Sequence, residues 1–161
     1  MPSGDEYLSQ LDDVLFVPLV RHADQRGWLI ELYRSDKLAA EQLPMMSYVS
    51  QTAPGVARGP HEHAEQTDCF AFIGPGDFKL YLWDNRQDSR TFGRRQTTIV
   101  GESNLQSVII PPGIVHAYKN ISVYPGVVYN APNRLYGGHG NRLMVDEIRH
   151  EDNPQTPYLL D

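Results

Sequence analysis

Apolar and polar residues alternate along most of the chain with the two-residue period of half-buried strands, not the 3.6-residue period of helices. The clearest run is 77–83, with Phe78, Leu80 and Leu82 on one face and Lys79, Tyr81 and Trp83 on the other. Shorter alternating or continuously apolar runs occupy 47–51, 69–73, 97–100, 105–110, 115–121 and 127–129. Turn signals punctuate them at Pro54-Gly55, Gly74-Pro75-Gly76 and Pro111-Pro112-Gly113. Upstream, 14–20 is apolar with a proline, which suits an edge strand, and 28–33 suits a second strand beyond the turn at 22–27. Ser35 is a candidate cap for a short helix reaching about Leu43, with Pro44 beyond it. Short strands at this spacing predict an all-β fold, a sandwich or a barrel, with that one short helix near the N-terminus.

The length, 161 residues, predicts a single domain spanning 1–161. Residues 1–12 are polar and mixed, and are expected to form a loose arm. Residues 146–161 are expected to form a surface tail or an arm packed on a neighbour. Thirteen glycines and twelve prolines favour the β reading over a helical one. The net charge of −6 argues against nucleic acid as a partner, since phosphate backbones demand a basic surface. The only cysteine is Cys69, so no intrachain disulfide framework is expected. No apolar run reaches the length of a membrane span, and the N-terminus lacks a secretory pattern, so a cytoplasmic location is expected.

Chemistry concentrates between Gly55 and Cys69, where Arg58, His61, His63, Glu65 and Asp68 crowd one short segment. On a strand, His61, His63 and Glu65 share a face. Ionisable groups gathered in this way are costly to bury without a purpose. Each residue also has a plainer reading. Arg58 fits a rim salt bridge, His63 a hydrogen-bonded core histidine, Tyr129 a buried strand aromatic and Cys69 a buried apolar residue.

Gly55 to His63 and Pro111 to Asn120 together resemble the cupin signature, in which one strand offers Gly-x5-His-x-His and a second offers Pro-x-Gly-x2-His-x3-Asn. That resemblance implies a jelly-roll barrel whose interior receives His61, His63 and His116. A closer resemblance covers roughly residues 14–130. Asp24-Gln25-Arg26-Gly27-Trp28-Leu29-Ile30-Glu31, Gly55-Val56-Ala57-Arg58-Gly59-Pro60-His61, Arg90-Thr91-Phe92-Gly93, Ile110-Pro111-Pro112-Gly113-Ile114-Val115-His116 and Val128-Tyr129 resemble, in order, stretches of the dTDP-4-dehydrorhamnose 3,5-epimerase family.

That resemblance implies epimerisation of a nucleotide-linked 4-keto sugar at C3, C5 or both, by proton transfer next to the ketone. The enolate spreads its charge onto the carbonyl oxygen, so the reaction needs a base, an acid on the opposite face, and positive charge or donors at the oxygen. The family pattern implies His61 as base and Tyr129 as acid. It implies substrate-binding roles for Arg26, Glu31, Gln51, Arg58 and His116. It also implies a nucleotide-diphosphate sugar substrate, no cofactor, no bound metal, and a homodimer whose partner completes the nucleotide pocket. The family's lysine near the enolate oxygen has no counterpart: Cys69 or Asp68 falls there. Two alternatives stand beside this reading. One is a metal-dependent cupin using His61, His63, His116 and Asp68 or Glu65, a donor set suited to Fe, Mn, Zn or Ni. The other is a sugar-nucleotide binding protein without catalysis.

Overall fold

The computed structural model describes residues 9–161. Among the described residues there are twelve strands: β1 (Leu15–Pro18), β2 (His22–Asp24), β3 (Gly27–Leu29), β4 (Tyr48–Thr52), β5 (Ala57–Glu62), β6 (Asp68–Phe72), β7 (Asp77–Asp84), β8 (Arg95–Gly101), β9 (Gln106–Ile110), β10 (Ile114–Asn120), β11 (Gly126–Asn130) and β12 (Ile148–Arg149). They build two five-stranded sheets, β1-β9-β6-β11-β4 and β12-β5-β10-β7-β8, plus the small β2–β3 hairpin. Every pairing is antiparallel. The result is the jelly-roll barrel that the alternation and the signature segments imply.

Period-2 patterning explains the core. Phe78, Leu80 and Leu82 of β7 meet Phe70 and Phe72 of β6 and Val108 of β9 between the sheets, all fully or almost fully buried. Burying each such side chain contributes roughly 1.5–3 kcal/mol. The other face of β7 is not left to solvent. Tyr81 and Trp83 stack with ring centroids 6.0 Å apart, and Tyr158 and Leu160 pack against them. The segment from 146 on therefore lies against its own chain, and β12 extends the second sheet beside β5. Within the N-terminal stretch given above as a loose arm, Leu11 is 2 % exposed and belongs to the main core. Residues 1–8, the rest of the expected arm, lie outside the described residues.

Two sequence expectations shift. The stretch 35–43 forms only a 3₁₀ turn at Ala40–Gln42. Its two leucines, Leu38 and Leu43, are five apart and cannot share one helical face, and a nine-residue helix is marginal on propensity alone. Leu38 instead packs on Cys69, Ile109 and Ala131. The 22–27 turn is the hairpin β2–β3, so the second strand begins at Gly27 and ends at Leu29. Among the described residues, no helix is long and apolar enough to cross a membrane.

Candidate active site

A cavity of about 1200 Å³ opens between the two sheets. β5 brings Arg58, Gly59 and His61 to one wall, and β4 brings Tyr48 and Ser50 to the other. β5 pairs with β10 so that His61 lies opposite His116, with a register shift before Tyr118 and Arg58. Gly59 makes this approach possible. It sits at φ +81°, and a Cβ there would lie 2.5 Å from the His116 carbonyl oxygen.

Three imidazoles gather below the cavity; His61 and His63 line it and His116 is buried behind them. Ring centroids are 4.5 Å apart for His61 and His116, and 5.7 Å apart for His63 with each of the others. Beneath them lies Asp68, 1 % exposed, facing inward from β6. Its Oδ2 is 3.1 Å from His63 Nε2 and 3.4 Å from His116 Nε2. Its Oδ1 accepts from Gln66 Nε2 at 2.9 Å and Asn130 Nδ2 at 2.8 Å. His63 has acceptors at both nitrogens: the Asp146 carbonyl at Nδ1 and the Asp68 carboxylate at Nε2. The carboxylate and the carbonyl favour the charged ring, against the Gln66 amide nitrogen that also stands 3.3 Å from Nε2. Burial pulls the His63 pKa down, but the bond and charge of Asp68, with the Asp146 carbonyl, carry it up to about 9. Burial likewise raises Asp68, but His63 and His116 hold it below the usual carboxylate range.

His61 is the contrasting member. It makes no side-chain hydrogen bond among the described residues, and its ring lines the cavity. Burial, then the neighbouring His116 and His63, push its pKa down to about 2. It is a neutral imidazole with its lone pair uncommitted. His116, 1 % exposed, is lowered chiefly by burial, and its Nδ1 sits 3.0 Å from the Ile114 carbonyl, which fixes its ring. Arg58 is anchored by Nε to Thr52 Oγ1 at 3.0 Å and by Nη2 to the Gln51 carbonyl at 2.8 Å, leaving a fixed cation at the cavity wall. The three histidines are also the one grouping among the described residues able to hold a metal ion, with ligand atoms within 4.8 Å of one another.

Several expected residues lie elsewhere. Tyr129 points away from the cavity. β11 buries Val128 and Asn130, while Tyr129 is half-buried and borders only a second, smaller cavity of about 440 Å³, which Asn130 and Tyr48 also touch; Tyr48 lines both cavities. Gln51 alternates outward on β4 and meets the site only through its backbone carbonyl. Arg26 pairs with Asp24 on the exposed hairpin, and Glu31 pairs with Arg34; neither lines this chain's own cavity. Of the two residues at the missing lysine's position, Asp68 faces in and Cys69 out. Sequence reading missed Tyr48, whose hydroxyl accepts from Asn130 Nδ2 at 2.9 Å. Its parity with Ser50 and Thr52 on the alternating 47–51 run was the available signal. It also missed Asp146, whose carboxylate accepts from the backbone N–H groups of Ala64, Glu65 and Gln66 at 2.8–2.9 Å and fixes the turn that carries His63.

Residues 9–148 match the family model of dTDP-4-dehydrorhamnose 3,5-epimerase. The chain is 40% identical over 130 residues to the probable low-salt glycan biosynthesis epimerase Agl13 of Haloferax volcanii, covering 80% of this chain and 83% of that one. It is 34% identical over 115 residues to the spore coat polysaccharide biosynthesis protein SpsL of Bacillus subtilis, covering 71% and 75%. A dTDP sugar isomerase from Desulfovibrio desulfuricans shares the fold with a TM-score of 0.78 at 22% identity, over 92% of this chain and 91% of that one.

Proposed function

The chain belongs to the dTDP-4-dehydrorhamnose 3,5-epimerase family, and from that premise we propose that it epimerises a nucleotide-linked 4-keto sugar with His61 as the base. The observation that carries the assignment is the contrast within the histidine cluster. His63 and His116 are tied to backbone carbonyls and grouped on Asp68, whereas His61, a neutral imidazole, makes no side-chain hydrogen bond among the described residues and lines the cavity. The free base is weak, but an entering diphosphate brings negative charge that raises it towards a useful value. Arg58 is the fixed cation for the developing enolate oxygen or for a phosphate.

The nucleotide is expected to reach Arg26 and Glu31 through a second copy of the chain. Both are exposed, away from their own cavity, on or beside a hairpin that also presents Trp28 and Leu29 to solvent.

The test is solvent-deuterium exchange into a dTDP-linked 4-keto-6-deoxyglucose. His61→Ala should lower exchange by about a hundred- to ten-thousand-fold while leaving metal content and nucleotide binding unchanged. Exchange at the wild-type rate would remove His61 from the role of base. A variant that instead lost a stoichiometric bound metal would favour the metal-cupin reading, for which the ligand spacing of the three imidazoles is the specific support.

A further inference from the structure

Inversion at a carbon requires proton transfer on two faces, and with Tyr129 outside the cavity the second face has no assigned donor. The base lies on β5 in one sheet. A donor for the other face must come from the sheet opposite. Three tyrosines line the cavity: Tyr48 from β4, Tyr118 from β10, and Tyr136, which lies in neither sheet and is 62% exposed at the mouth. Tyr118 belongs to the same sheet as His61, is 3 % exposed, and shares a hydrogen bond with Ser50 Oγ at 3.1 Å, walled in by Phe70, Phe72 and Phe78. Tyr48 differs on each point. It stands in the sheet facing His61 and is 43% exposed. Its oxygen accepts from Asn130 and its own proton goes to no described side chain.

We propose that Tyr48 is the acid that delivers a proton to the face of the sugar ring opposite His61. The proposal rests on the epimerase reading. In the step, His61 takes the proton from the carbon beside the ketone, and the C–H electron pair forms the enolate with its charge on the carbonyl oxygen. The Tyr48 O–H bond then breaks, and its proton forms the new C–H bond on the opposite face as the carbonyl is restored. His61 is left as imidazolium and Tyr48 as phenolate, and exchange with solvent resets both. The phenolate keeps a donor, since Asn130 Nδ2 is 2.9 Å from the oxygen. Asn130 is itself 2 % exposed and held by Asp68 Oδ1 at 2.8 Å, so the donor is in place before the charge forms. Burial raises the Tyr48 phenol to about 12, so it enters the cycle protonated.

The test compares Tyr48→Phe with Tyr129→Phe on dTDP-4-keto-6-deoxyglucose in deuterium oxide. Two rates are read, deuterium entry at C3 and C5 and formation of inverted product. Tyr48→Phe should lose inversion by about a hundred- to ten-thousand-fold while deuterium entry through His61 persists. Tyr129→Phe should invert as the wild type does. Wild-type inversion in Tyr48→Phe overturns the assignment. So does loss of both rates in a Tyr48→Phe protein that still binds dTDP and melts with the wild type, since an acid for the second face alone leaves the first transfer running. A wild type that neither exchanges nor inverts the sugar overturns the epimerase reading, and this assignment falls with it.

Discussion

Replacing Asp68 by asparagine isolates the charge at the centre of the site. Asp68 Oδ1 accepts two hydrogen bonds, from Gln66 and Asn130, so in Asp68→Asn the amide oxygen must keep that position. The amide NH₂ is then forced into the place of Oδ2, facing His63 Nε2 and His116 Nε2, which lie 3.1 Å and 3.4 Å from that oxygen. His63 Nε2 now meets a donor and must give up its proton, while Nδ1–H still reaches the Asp146 carbonyl. Its pKa should fall from about 9 to the ordinary 6.5 or below, because burial, which already opposes the charge, is no longer outweighed. At about 1.36 kcal/mol per pH unit, the change is about 3 kcal/mol of differential interaction.

The linkage has a definite sign. A raised folded-state pKa stabilises the fold fully below 6.5, and the gain is lost as pH rises through about 9. The stability gap between wild type and variant should therefore be widest below 6.5 and narrow towards pH 10. The assay is a histidine-selective NMR titration from pH 5 to 10, paired with denaturant melts at each end. A His63 resonance that still titrates near 9 in Asp68→Asn would refute the ion pair as the source of the charge.

Two further outcomes follow from the same geometry. Because the folded His61 resists protonation down to about pH 2, the unfolded chain takes up its proton first, and stability should decline as pH falls below 6.5; His61→Asn should flatten that acid limb in a melt series, and an unchanged limb would contradict the buried neutral imidazole. Light scattering should give the mass of two chains, and Arg26→Ala should weaken dTDP binding in calorimetry without unfolding the barrel; a monomer at high concentration, or unchanged binding, would count against a shared nucleotide pocket.

The barrel was legible because the strand period is short and insistent. Phe78, Leu80 and Leu82 lie in the core as their alternation requires, and the two signature segments pair directly, His61 opposite His116. Tyr129 was misplaced for a reason inherent to β structure. Counting from His116 crosses the turn between β10 and β11, and spacing across a turn does not carry over which side chains face inward. Asn130 therefore occupies the inner position. Charge states were illegible for another reason. His63 is an imidazolium because of Asp68, five residues on, and Asp146, far along the chain. His61 and His63 look alike in sequence and differ only in what surrounds them. The C-terminal stretch looked detachable because its anchors, Tyr158 and Leu160, are too sparse to show a period, yet they cover Tyr81 and Trp83.

The stretch from Ala131 to Asp146 is pinned where it begins and where it ends. Asn133 Oδ1 accepts from the Thr67 N–H at 2.8 Å at one end, and Asp146 binds the 64–66 turn at the other. Between these pins, Tyr136, Leu143 and Met144 border the cavity mouth and stay more than half exposed. Such a loop can vary in length and sequence over evolutionary time while the reacting groups stay where the barrel holds them. Descendants of one ancestral barrel could admit different sugars by rewriting this rim alone. A library randomised between 135 and 144 would be the natural starting point for redirecting the enzyme.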